Sequence, residues 1–115
     1  MSQQKDHNFK PKRHALLTHI YLELLPGIRE VAKSCGYAVA IHGSLVRDFD
    51  LIAVPWVPGA VPAEKLVDRI TQEVEGTITR DDQERKPHGR RAWSIGLFQA
   101  GAYIDLSVLP RESDL

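Results

Sequence analysis

Tyr37-Ala38-Val39-Ala40-Ile41-His42-Gly43-Ser44-Leu45-Val46-Arg47-Asp48-Phe49-Asp50-Leu51-Ile52-Ala53-Val54-Pro55-Trp56 reads as two strands with a turn between them. Residues 37–42 and 48–56 are rich in the β-branched and aromatic residues that strands favour, and Gly43-Ser44 supplies turn-forming types. So short a connection makes the two runs neighbours, and paired strands meeting at one edge are predicted. Alternate side chains of a strand share a face, so Asp48 and Asp50 project together. Two carboxylates aimed at one point repel unless a proton or a cation lies between them. Hard divalent cations such as Mg²⁺ take oxygen ligands of this kind. A third carboxylate, Asp105, stands in Tyr103-Ile104-Asp105-Leu106-Ser107-Val108-Leu109-Pro110. There Ile104, Leu106 and Val108 face one way, and Tyr103, Asp105 and Ser107 the other.

Gly43-Ser44, then Asp48-Phe49-Asp50, then a distant Asp105 between apolar residues resembles the nucleotidyltransferase superfamily to which DNA polymerase beta belongs. The likeness spans residues 36–110 and rests on those three short motifs. It implies a nucleotidyltransferase-like fold and two Mg²⁺ or Mn²⁺ ions on Asp48, Asp50 and Asp105, with catalysis at the same residues. It also implies that Gly43 and Ser44 help to hold the phosphates of a nucleoside triphosphate. Three residues separate Ser44 from Asp48, where the family has a longer connection with a short helix. That shortening leaves the carboxylates at the strand ends and bears mainly on the role of Ser44.

A chain of 115 residues, 43% of them apolar, holds one domain with a real core and is too short for two. The family's additional helical domain, which holds the acceptor, has no room here. A second copy or a partner protein completes the site, or the acceptor is small, or the site is a relic. Fifteen basic and fifteen acidic residues cancel, so no global field draws in nucleic acid. Charge is local: Lys5, Lys10, Lys12 and Arg13 near the N-terminus, and Arg85, Lys86, Arg90 and Arg91 around His88. A single cysteine, Cys35, excludes an internal disulfide and fits a reducing compartment. No signal segment or membrane-length run is read in the sequence, so the expectation is a soluble, cytoplasmic protein.

Residues 1–10 are expected to be a disordered polar tail and 111–115 a second tail, with the domain between them. From Pro11 to Cys35, apolar residues at helical spacing predict two helices or one kinked helix, with Pro26 starting the second piece. Gly36 is expected to cap it. Pro55, Pro58, Gly59 and Pro62 make a stiff connection, and Leu66, Val67, Ile70 and Val74 form the stripe of a helix that Gly76 stops. Residues 77–80 read as a short strand and 81–90 as an exposed loop. Residues 91–98 and 102–109 read as a hairpin across Gln99-Ala100-Gly101. The order predicts an α+β domain with a mixed or antiparallel sheet and helices on one face.

Gly43-Ser44 reads equally as a plain turn or as a turn that also contacts phosphate. The loop from Arg85 to Arg91 reads as a solvated surface, or as cations for a triphosphate or an RNA backbone, with Lys86, Arg90, Arg91 and Arg47 as the nucleotide-binding candidates. Trp56 and Trp93 read as core or sheet surface before base-stacking, and His42 as a sheet residue before a base. His14 and His19 lack zinc-pair spacing, Cys35 reads as apolar packing, and no nucleophile elbow is present.

The functional expectation is transfer of a nucleoside monophosphate from a triphosphate to a protein, RNA or small-molecule acceptor. The alternatives are a non-catalytic nucleotide- or partner-binding module of accessory or antitoxin-like kind, as found among small members of bacteria and phages, or an RNA-binding protein using residues 85–91.

Overall fold

Leu17, Tyr21, Leu25, Ile28, Ala32 and Cys35 recur every three or four positions, and all are buried. All but Cys35, which follows its last residue, form one stripe of helix α1 (Phe9–Ser34) in the computed structural model, which describes residues 9–45, 48–82, 86–98 and 101–115. The interruption expected at Pro26 does not occur, and α1 runs through it. Pro26 is exposed while Leu25 and Ile28 are buried, so the hydrogen bond that proline cannot donate is lost on the solvent side. Burying a Leu or Ile side chain is worth about 1.5–3 kcal/mol, so the two together outweigh a proline cost of about 3 kcal/mol. Phe9 and Lys10, expected in the polar tail, are helical. Pro11 is tolerated because first-turn N–H groups have no partner within the helix. The rest of that tail lies outside the described residues.

Gly36 ends the helix with φ +91°, and its N–H donates to the Lys33 carbonyl at 3.0 Å. A Cβ there would lie 2.7 Å from Ala60 Cα, so glycine alone fits where the chain turns into β1 (Tyr37–Ile41). β2 (Phe49–Pro55) follows, then helix α2 (Ala63–Glu73), β3 (Thr77–Asp82), β4 (Arg91–Gly96) and β5 (Tyr103–Val108). Single 3₁₀ turns occupy Pro87–Gly89 and Glu112–Asp114. β3 reaches Asp82, two residues into the expected loop, because pairing with β4 carries it to the Asp82–Ala92 position.

The fold is α+β, with a five-stranded mixed sheet in the order β1-β2-β5-β4-β3. β2 and β5 run parallel, and the other neighbours are antiparallel. Phe49, Leu51, Ala53, Ile104, Leu106, Trp93 and Ile95 are buried, while the alternate residues of those strands are not. Both helices cover that one face. The Tyr21 ring of α1 stacks on Phe49 at 4.9 Å, and Glu64 of α2 is bonded to Arg91 at the same face of β4. Among the described residues no helix or strand covers the opposite face.

The expected C-terminal tail is fastened at its start. The Arg111 guanidinium donates to the Asp114 carboxylate at 2.8 and 3.1 Å and to the Ala60 carbonyl at 3.2 Å. Cys35 is buried, in keeping with its apolar reading. No helix among the described residues is long and apolar enough to cross a membrane.

Candidate metal and phosphate site

The open face is built by register. β2 and β5 pair in parallel with Asp50 beside Asp105. The His42 N–H donates to the Asp50 carbonyl at 2.8 Å, extending the β1 ladder and setting His42 on the other side of Asp50. Ser94 lies opposite Asp105, and Arg80 opposite Ser94. One row across the sheet therefore reads His42, Asp50, Asp105, Ser94, Arg80.

Asp48 stands just before β2 and joins the acidic end of that row. Asp48, Asp50 and Asp105 each offer a carboxylate oxygen, and these oxygens lie within 4.8 Å of one another. Ser94 Oγ donates to Asp105 Oδ1 at 3.0 Å and orients that carboxylate. None of the three carboxylates has a Lys or Arg ion pair among the described residues.

This crowding shows in the protonation of Asp50. Its pKa is raised above 3.8 by burial first, then by the charges of Asp105 and Asp48, with His42 pulling the other way. When protonated, Asp50 also shares a hydrogen bond with Asp105. A carboxyl with a raised folded-state pKa binds its proton more tightly in the folded chain, so this contribution to stability is lost as pH rises through that pKa. Asp50→Asn has no such charge. Without added metal, its melting temperature should therefore gain on the wild type between about pH 4 and pH 7. A difference that stays flat over that range would mean the carboxylates are not coupled.

The turn is shaped around the same carboxylate. Gly43 has φ +96°, and a Cβ on it would lie 2.8 Å from Asp50 Oδ2. Leu45 follows with φ +64°, and Thr18 Oγ1 of α1 donates to its carbonyl at 2.8 Å, fastening the turn to the helix. Gly43→Ala is expected to cost about 1–3 kcal/mol in urea unfolding and to displace Asp50. An unchanged midpoint together with unchanged metal binding would count against this close approach. Ser44 is exposed in the turn. Beneath the cluster lies Tyr21, whose pKa is raised by burial and by Asp48, Asp105 and Asp50, against a hydrogen bond with the Tyr103 backbone.

A cavity of about 310 Å³ runs from Asp50 and Asp105 across the open face to Arg80, Lys86 and Arg90. Arg90 is held there by a hydrogen bond from its guanidinium to Ser107 Oγ at 3.1 Å, and Lys86 by Asp82 at 2.6 Å. The tight turn at Pro87–Gly89 brings them in, with the Lys86 N–H donating to the Arg90 carbonyl at 2.7 Å.

Arg91 is a correction to the sequence reading. It pairs with Val108, whose side chain is buried under the helices, and so points away from the acidic cluster. Its guanidinium donates to Glu64 at 2.6 Å, lies 3.7 Å from Asp81 and sits 4.6 Å over the Trp93 ring. The hydrogen bond from Arg91 is the main cause of a lowered Glu64 pKa. Arg91 shares strand parity with buried Trp93 and Ile95, and that was the signal in the sequence.

Arg47 and Arg85 lie outside the described residues. Thr18, Ser94, Arg80 and the phenol of Tyr21 carry no signal in the sequence, and Ser107 is legible there only as sharing the Asp105 face, because each acts through a neighbour distant in sequence. Comparison with models of known families, with curated proteins and with solved structures yields no match.

Proposed function

We propose that the protein transfers a nucleoside monophosphate from a nucleoside triphosphate to an acceptor hydroxyl, using Mg²⁺ or Mn²⁺ held by Asp48, Asp50 and Asp105. One observation carries this reading: carboxylates from two distant segments meet within 4.8 Å on one sheet face, and two of them, Asp50 and Asp105, line one cavity with Arg90 and Lys86.

The donor set suits such an ion. The ligands are carboxylate oxygens, and no side-chain cation pairs with them among the described residues. Burial and their mutual repulsion already raise the Asp50 pKa, a cost that a bound cation would relieve. The bound ion supplies charge neutralisation at the phosphates and lowers the pKa of a nearby hydroxyl.

The chain's own residues do the rest. Arg90 and Lys86 hold the β- and γ-phosphates, with Arg90 offering its planar fork. The Gly43-Ser44 turn, with φ positive at Gly43, presents backbone N–H groups of the kind that cradle anions. Ser94 keeps Asp105 turned toward the acceptor, whose hydroxyl gives up its proton there. The acceptor oxygen then bonds to the α-phosphorus as the bond to pyrophosphate breaks. A triphosphate donor is compatible with the expected cytoplasmic location.

A non-catalytic nucleotide-binding module is the second reading. It is favoured by the open sheet face, which no described element covers to hold an acceptor.

Metal melting experiments test what the two readings share. A divalent ion that binds only the folded chain raises its melting temperature, by about 2.7 kcal/mol of stability at a hundredfold excess over Kd. Asp50→Asn should lose most of that response and Arg91→Gln should keep it. An Asp50→Asn variant with the full response would place the metal elsewhere.

A further inference from the structure

The two edges of the sheet differ in kind. β3, at one edge, carries Arg80, Asp81 and Asp82 and a register shift between Ile78 and Arg80, features that discourage pairing with another chain. β1, at the other, is Tyr37-Ala38-Val39-Ala40-Ile41, with no charge, no proline and an unbroken register against β2. Hydrogen bonds at 2.8 Å link His42 to Asp50 and Trp56 to Gly36. Bonded and non-bonded pairs alternate along an antiparallel ladder, so Ala38 and Ala40 also bond inward. Tyr37, Val39 and Ile41 therefore turn their backbone N–H and C=O groups outward. Among the described residues no strand pairs with that row.

A cavity of about 570 Å³ follows this edge along Gly36, Tyr37, Ala38 and Val39. Trp56, 76% exposed, and Val57 give it an apolar wall, and Arg29 and Lys33 of α1 give it a cationic one. Neither cation has a carboxylate partner among the described residues.

We propose that the β1 edge captures an extended acidic segment of a partner protein, which joins the sheet as a sixth strand. The outward row supplies main-chain hydrogen bonds. Side chains of an added strand alternate between the helix side, where Arg29 and Lys33 meet carboxylates, and the open side, where Ala38 and Ala40 leave room for apolar groups. A second copy of β1 would satisfy the same backbone groups. It would also bring another Arg29 and Lys33 to a seam whose lining holds no carboxylate. A nucleic acid would use the cations and Trp56 but leave the backbone row unpaired. The site is independent of the acidic cluster and of the activity proposed for it.

The test titrates the full chain with a short capped peptide of alternating Glu and Val, against the same peptide with Lys for Glu. Amide shifts and hydrogen exchange are read along β1. The Glu peptide should shift and protect the Val39 and Ile41 amides, and the Lys peptide should bind roughly tenfold more weakly or worse. Arg29→Glu with Lys33→Glu should reverse that preference. Lys33 lies in the last turn of α1, where a negative charge opposes the helix dipole. Arg29→Gln with Lys33→Gln is therefore a second variant, expected to erase the preference. Three results would overturn the proposal: equal binding of both peptides by the wild type, tighter binding of an oligothymidylate than of the Glu peptide, or a sedimenting dimer whose Val39 and Ile41 amides are already protected.

Discussion

Asp105→Ala is expected to abolish the proposed nucleotidyl transfer, with a rate at least about 10²–10³-fold below wild type, about the loss seen when one electrostatic stabiliser is removed from an active site. The substitution takes away a proposed metal ligand, the carboxylate that Ser94 orients at 3.0 Å. It leaves Asp48 and Asp50 in place, so the proposed nucleotide binding should persist. It also removes one of the charges that raise the Asp50 pKa, so the fold should not weaken. Labelled nucleoside triphosphates with Mg²⁺ or Mn²⁺ and a mixed acceptor pool give the readout. Arg90→Ala in the same assay should weaken nucleotide binding by about 1–3 kcal/mol, the range for a hydrogen bond to a charged group. Transfer that survives Asp105→Ala would sink the mechanism. Nucleotide binding by the wild type with no transfer to any acceptor would favour the binding module.

Phe49→Ala should cost about 3–5 kcal/mol, the usual range for removing a buried aromatic ring. Against a total of about 5–15 kcal/mol for a domain, that brings the chain close to unfolding. Phe49 is fully buried between Asp48 and Asp50 in sequence, and its ring stacks on Tyr21 at 4.9 Å. The same change should loosen the acidic cluster, because Phe49 pins the start of β2 against α1. Urea unfolding with an intact slope gives the measurement. A loss under about 1 kcal/mol would show that this stack does not hold the strand.

Neither effect can be separated from the parallel pairing of β2 with β5, which sets Asp50 beside Asp105. The side-chain faces were legible without it. Asp48 and Asp50, and Asp105 among Ile104, Leu106 and Val108, follow from strand alternation alone. Arg91 was legible by the same rule, through Trp93 and Ile95, yet the cluster of basic residues drew it to the wrong face. Pro26 misled in the opposite way: local chemistry argued for a break, and burial of Leu25 and Ile28 overrode it.

The sequence by itself determined the fold class, the apolar stripe of each helix and the face on which each strand places its carboxylates, because these depend on periodicities of two to four residues. Only the tertiary structure decided which strands are neighbours, since many sheet orders satisfy the same alternation. It brought Arg80 and Ser94 into line with Asp105, tied Thr18 to Leu45 and Arg111 to Ala60, and left β1 at an open edge. Contacts between residues this far apart arise from closing the core as a whole, and no local pattern of residues encodes them.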